Sequence, residues 1–355
     1  MKEINVEEIF EKEKPVIIDI RSPIEFKDGA IPGAINIPLF SDEERTEIGT
    51  IYKQTGPEKA QWRAMEIVSP KLPTLLKDIK ESTGDSKVHP IIHCWRGGMR
   101  SRAVVTFLDF SGIRSTLLTG GYKAYRQFIL SEIPKILPER AVVLHGLTGV
   151  GKTEILKRLD KMGFPVLDLE EMACHRGSIF GNIGLGEGHN QKIFDSFLFK
   201  RLQELKGSSF FLMEAESKRV GKAMQPDELM NKKTNGINIY IHTPLEQRVK
   251  HIVKEYIVPY EHLPWYHTQI SESLERVLKR VKDNEMKKIL LGFLEKRQYT
   301  EMVPILLENY YDPKYDFKRQ DYNGEFYDIF VESHEEAAEK IAQKLEQLSF
   351  KSQPI

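Results

Sequence analysis

Cysteine is scarce in this chain: 355 residues contain two, Cys94 and Cys174. Two thiols make no disulfide framework, and a reduced, cytoplasmic setting is the expectation. Net charge is lacking too, with 52 lysines and arginines against 52 aspartates and glutamates. That excludes a protein coating nucleic acid by bulk attraction, though not a local basic patch, because binding depends on where charges sit. No run approaches the roughly 20 apolar residues of a membrane span. The start, MKEINVEEIFEKEKP, is too charged for the apolar stretch of a signal peptide. Neither an internal repeat nor a low-complexity tract occurs.

What is present exceeds one ordinary core and implies two domains plus an appendage. Short apolar runs alternate with helical patterns in the first third: PVIIDI (15–20), AINIPL (34–39), VHPIIHC (88–94), then helical SRAVVTFLDFSG (101–112). Such alternation predicts a mostly parallel sheet covered on both faces. SEIPKILPER (131–140), with two prolines, reads as the linker. The pattern restarts with AVVLHG (141–146), KTEILKRLDKMG (152–163), SSFFLMEAES (208–217) and INIYIHT (237–243), and helical patterns dominate after about residue 244. A strand-like EFYDIFV (325–331) precedes a closing helix. The expected fold class is α/β, with boundaries at 1–132, a linker 133–140, a second domain 141–265 and a mainly helical extension 266–355.

Two segments carry chemistry. HCWRGGMRS (93–101) lies where a buried strand ends and a helix begins, the place where open parallel sheets hold their sites. Gly97 and Gly98 allow the backbone to curl so that amides point inward. With the helix N-terminus and the Arg100 guanidinium they would form an anion cup beneath the Cys94 sulfur. Such a field favours thiolate over the thiol's ordinary pKa of about 8.5 and makes Cys94 a nucleophile beside a bound oxyanion. A buried structural cysteine is the bland alternative, which leaves Arg96, Arg100 and the glycines without purpose. GLTGVGKT (146–153) fits G-x-x-x-x-G-K-[ST] between a strand and a helix. Gly146, Gly149 and Gly151 let amides wrap a diphosphate, Lys152 adds a cation, and Thr153 is suited to Mg²⁺. Glu214 or Glu216, at the end of FFLMEAES, is a candidate for metal or water contact. His175 and Arg176, in HRGSIFGNIG (175–184), suggest further phosphate contacts. Cys174 reads as inert. No guanine-reading motif is present, so ATP or GTP stays open as the ligand.

The segment DIRSPIEFKDGAIPGAINIPL (19–39) resembles the rhodanese fingerprint, and with the cysteine loop it covers nearly all of 1–130. The resemblance implies that Asp19 and Arg21 organise the loop. Arg100 lies six residues after Cys94 rather than five, which also matches the Cys-x5-Arg signature of tyrosine phosphatases. A wider cup suits phosphate or selenophosphate better than lone sulfur. ERTEIGTIYKQTG (44–56), HCWRGGMRS, GLTGVGKT, HRGSIFG, the EAES strand end and LLENYYDPKY (306–315) together are similar to the tRNA 2-selenouridine synthase family. That resemblance implies an N-terminal rhodanese-like domain and a C-terminal P-loop NTPase-like domain. It also implies transfer of selenium from selenophosphate to the wobble 2-thiouridine of a tRNA anticodon. A geranylated intermediate would be made from geranyl diphosphate, and a selenophosphate-producing enzyme is a candidate partner. A rhodanese-fold sulfurtransferase or phosphatase fused to a nucleotide-binding module is the alternative. For tRNA contact the candidates are Trp95, Lys218, Arg219 and Lys222, with Arg276, Lys279, Arg280, Lys287 and Lys288 as a second basic run.

Overall fold

A computed structural model of the chain describes residues 1–84, 88–314 and 318–350. It divides into two compact units, 1–135 with 195–200, and 136–194 with 201–355. Tyr315, the last residue of LLENYYDPKY, and residues 351–355 of the extension lie outside the described residues.

Five parallel strands make the sheet of the first unit: β1 (Lys2–Ile4), β2 (Ile17–Asp19), β3 (Ile35–Asn36), β4 (Ile91–His93) and β5 (Thr116–Leu118), in spatial order β1-β5-β4-β2-β3. Every residue of β2, β4 and β5 is buried, as strands covered on both faces must be. β1 carries no apolar run. It forms an edge by pairing Lys2–Ile4 with Thr116–Leu118. Cys94 follows β4, the middle strand, and the helix Met99–Phe110 begins just beyond the loop.

The second sheet is also all parallel. Its strands are β6 (Arg140–His145), β7 (Val166–Leu167), β8 (Phe210–Glu214), β11 (Ile237–His242) and β12 (Phe326–Phe330), in order β12-β11-β6-β8-β7, with a small hairpin β9 (Arg219–Val220) and β10 (Ala223–Met224). The phosphate loop follows the central strand β6 and runs into the helix Lys152–Lys161. Among the described residues no helix is long and apolar enough to cross a membrane.

Two segments read from the sequence contribute regular structure. The stretch read as a linker is mostly ordered: the helix Gly121–Ile136 runs through Pro134, and β6 starts at Arg140. The stretch read as a mainly helical extension also supplies β12, which pairs with β11 from Asn238↔Phe326 to His242↔Phe330. Ile329, Val331, Ile341 and Leu345 join the same core as Val142, Leu144 and Leu156. Chain beyond residue 325 thus completes the phosphate-loop sheet, because the edge of β11 would otherwise expose unpaired backbone.

Candidate functional site

The cysteine loop is held from both sides. Gly97 has φ +63°, and a Cβ there would lie 2.6 Å from the Leu118 carbonyl oxygen. Gly121, at φ +57°, packs its α-carbon against the Cys94 carbonyl and the Gly97 amide, leaving no room for a side chain. The Tyr122 and Lys123 amides donate to the Cys94 and Trp95 carbonyls at 3.0 and 2.9 Å. Gly98, by contrast, has a negative φ and open space around it, so the curl rests on Gly97 alone.

Beneath this loop Arg21 and Asp19 form a buried fork. Arg21 Nε and Nη2 donate to the Asp19 carboxylate, the shortest contact being 2.6 Å, and Nη2 also reaches the Gly29 carbonyl at 2.7 Å. The guanidinium lies 4.0 Å from the Tyr122 ring centroid and 6.0 Å from that of Trp95. The pair sits behind the loop rather than in it.

Cys94 is only 3% exposed. Burial alone would push its thiol up. The Ser101 hydroxyl, 3.3 Å from Sγ, the charge of Arg100 and the amides of Arg96 and Ser101 outweigh that and leave the thiol below its ordinary value. Arg100 is not free to face a ligand with its whole charge, because Glu25 grips it at 2.8 and 3.4 Å. Neither Glu25 nor Ser101 was assigned a role from the sequence; Ser101 stood in the motif, but Glu25 lies 75 positions away. Arg96 is exposed and Trp95 half-buried. Arg100→Gln is expected to raise the Cys94 pKa. Ultraviolet thiolate absorbance against pH, taken as the difference from Cys94→Ser, checks it. An unmoved midpoint would refute the role given to Arg100.

In the second unit Gly151 has φ +81° and abuts the His334 ring, and Gly149, at φ +86°, sits against Arg248. Buried Arg248 donates to the Thr148 carbonyl at 2.9 Å and pairs with Asp312 at 2.7 Å, bracing the loop from behind. Gly146 is also at positive φ, packed on Val150. Lys152 Nζ points back to the Gly146 carbonyl at 3.5 Å. Thr153 Oγ1 lies 2.7 Å from Glu214 and 2.9 Å from Glu170. Glu170, Glu214 and Glu216 bring carboxylate oxygens within 4.8 Å of one another. Burial above all raises both Glu170 and Glu214 above the usual carboxylate range; repulsion from Glu214 and Glu216 pushes Glu170 further, while at Glu214 the pull of Lys152 opposes it before repulsion by Glu216. Glu170 escaped sequence reading, since LDLEEMA looks like any acidic helix start.

These groups form one end of a cavity of about 340 Å³. Its other walls are mostly apolar, with Ile179, Phe180, Tyr256, Ile270, Met302 and Leu306 among them, though Glu255, Arg280 and Lys314 also reach it. Two wider π-helical turns, Val253–Ile257 and Leu307–Tyr311, contribute to the wall, a feature frequent at functional sites. Arg176 reaches the cavity, held by Glu255 at 2.8 Å and stacked over Tyr256. His175 does not; it packs on Gly221 and lines a neighbouring groove, and burial lowers its pKa. Lys218 pairs with Asp227, while Arg219 and Lys222 are exposed along that same groove.

A rhodanese-type thiol loop and a phosphate loop, each at the carboxyl end of a central parallel strand, define a two-site α/β protein equipped for group transfer. Residues 5–128 match the model of the rhodanese-like domain, and 139–348 match that of the tRNA 2-selenouridine synthase AAA domain. The chain is 37% identical to the tRNA 2-selenouridine synthase of Nitrosomonas europaea, over 68% of its own length and 63% of that protein's. With the synthases of Bdellovibrio bacteriovorus and Bordetella petrii it shares 32% and 31% identity, over 81% and 89% of its length and 74% and 90% of theirs. The chain belongs to the tRNA 2-selenouridine synthase family.

Proposed function

We propose that this chain exchanges sulfur for selenium at the wobble 2-thiouridine of tRNA in two steps, one for each loop. In the first, the thiouridine sulfur attacks C1 of geranyl diphosphate. The C1–O bond breaks, diphosphate leaves with the electron pair, and the base gives up its N3 proton to solvent. In the second, the selenium of selenophosphate adds at C2 of the base and geranylthiol departs with a proton; water then attacks phosphorus, cleaving the P–Se bond to release phosphate and returning a proton to N3 of the base. The P-loop with Lys152, and Arg176 nearby, would hold the diphosphate. The Cys94 loop, with Arg96 and Arg100, would take selenophosphate.

The observation that carries this reading is the apolar cavity opening from the phosphate loop. An isoprenoid chain gains about 0.8 kcal/mol per buried methylene there, whereas a purine would lay its hydrogen-bonding edges against Ile, Met and Leu. Calorimetry on the purified chain tests it. Geranyl diphosphate is expected to bind at least about 100-fold tighter than inorganic diphosphate, undisturbed by ATP or GTP. Equal competition by either nucleotide, or tRNA-independent ATP turnover that vanishes in Lys152→Ala, would sink the donor assignment.

Thr153, Glu170, Glu214 and Glu216 fit a divalent cation such as Mg²⁺, which would supply charge neutralisation to the departing diphosphate. The raised acids set the sign of its pH dependence. At low pH they hold protons that a cation must displace. As pH rises through their elevated values they ionise, repel one another and destabilise the cation-free fold. Stabilisation by Mg²⁺ in thermal melts is therefore expected to grow from about pH 6 to about pH 9, and to vanish in Glu214→Gln. A shift that is flat with pH and survives that substitution would count against the site.

A further inference from the structure

Sequence alone separates two basic runs, 218–222 and 276–288, but the fold brings part of each into one groove of about 920 Å³. Arg219 and Lys222 come from the β9–β10 hairpin. Arg276 and Arg280 come from the helix Tyr266–Leu278 and its exit. All four are exposed, and among the described residues none of the four makes an ion pair. Glu187 is the sole acid among the lining residues. Trp265 and Gln269 also line the groove, and the spacing 265, 269, 276, 280 places them on one helical stripe with the two arginines. Trp265 is 40% exposed, unusual for so large an apolar ring. Gly177, Ser178, Ile179 and Arg280 line both this groove and the phosphate-loop cavity, so the two share a wall.

We infer that this groove binds the single-stranded anticodon loop of the RNA substrate. Arg219, Lys222, Arg276 and Arg280 take its phosphates, and Trp265 stacks on an unpaired base. The reading rests on the proposed function, because the shared wall delivers the thiolated base toward the donor diphosphate. Charge complementarity points to a polyanion, and the exposed indole points to splayed bases rather than a duplex. Lys218, Lys287 and Lys288 fall outside the groove, and Lys218 and Lys288 are already paired to Asp227 and Glu285.

The test is binding of an anticodon stem-loop RNA to the full chain at several salt concentrations. Four phosphate contacts predict a slope of log Kd against log salt of about 3. Arg219→Gln/Lys222→Gln/Arg276→Gln together should cut that slope to about 1 and weaken binding on the order of 10- to 100-fold. Trp265→Ala should leave the slope alone and weaken binding roughly 5- to 100-fold. None of these four side chains lines the donor cavity, so calorimetric binding of geranyl diphosphate should be unchanged and reports a folded protein. If the triple variant loses donor binding, Arg276→Gln alone decides, with an expected slope decrease of about 0.7. Wild-type Kd and slope in the variants would overturn the groove, as would equal displacement by a blunt RNA duplex. If the wild-type chain binds the loop with the expected slope but no geranyl diphosphate, the donor reading falls and the groove stands.

Discussion

In cells lacking their own enzyme, the chain with Cys94→Ala is expected to leave tRNA without 2-selenouridine and to accumulate S-geranyl-2-thiouridine, whereas Lys152→Ala leaves unmodified 2-thiouridine. The two outcomes differ because each substitution removes the reacting charge from one loop. Cys94 lies in a pocket whose Ser101 hydroxyl, Arg100 and backbone amides hold its sulfur toward thiolate. Alanine keeps the loop's backbone contacts with Tyr122 and Lys123 and removes only the thiolate from the selenophosphate-binding loop. Lys152 is the mobile cation of the phosphate loop. Losing one such stabiliser of a leaving oxyanion typically costs about 10²- to 10³-fold in rate, enough to empty the geranylated pool in a growing cell. Mass spectrometry of digested tRNA nucleosides reads both species at once. Geranylated base in the Lys152→Ala strain at wild-type level, or selenouridine in the Cys94→Ala strain, would undo the division of labour.

Both loops were legible in the sequence for one physical reason: each is a contiguous run in which glycines permit a curl and the next residues bring charge to it. What the runs could not reveal is who faces them. Glu25 neutralises Arg100 from the helix after β2, and Glu170 joins Thr153 and Glu214 from the short helix Leu169–Ala173 after β7. Those are through-space meetings created by sheet order, and sequence spacing carries no signal for them. The apolar cavity is of the same kind, since Ile179, Tyr256 and Met302 come from three distant segments. In the linear sequence Tyr256 and Met302 look like the ordinary buried face of amphipathic helices, and Ile179 like one residue of a glycine-rich turn. β12 shows the opposite limit. EFYDIFV was visible as a strand, yet its place beside β11 depends on a return of nearly ninety residues through the helical region. His175 and Arg176 were paired as phosphate ligands by adjacency. The glycine-rich turn after them sends Arg176 to the cavity and His175 to the groove.

Arg21→Ala is expected to cost the first unit about 3 to 5 kcal/mol, the usual penalty for leaving one partner of a buried ion pair alone. Asp19 is fully buried, and Arg21 supplies its carboxylate with three of its hydrogen bonds while also bonding the Gly29 carbonyl and lying under Tyr122. Removal strands a charge that water cannot reach and opens a cavity beneath the cysteine loop. For a unit of this size the loss corresponds to a fall in Tm of about 10 to 20 °C. Hydrogen exchange should show the damage where the pair supports the loop, with the Tyr122 and Lys123 amides losing protection. A double substitution, Asp19→Leu/Arg21→Met, replaces the pair by packed apolar groups and should cost less than Arg21→Ala alone. The fork lies behind the loop and touches no ligand position, so the double variant should regain stability while Cys94 keeps its lowered thiol pKa. If it instead melts no higher than Arg21→Ala, the fork does more than satisfy its own charges, and the loop's geometry depends on the Arg21–Gly29 bond itself.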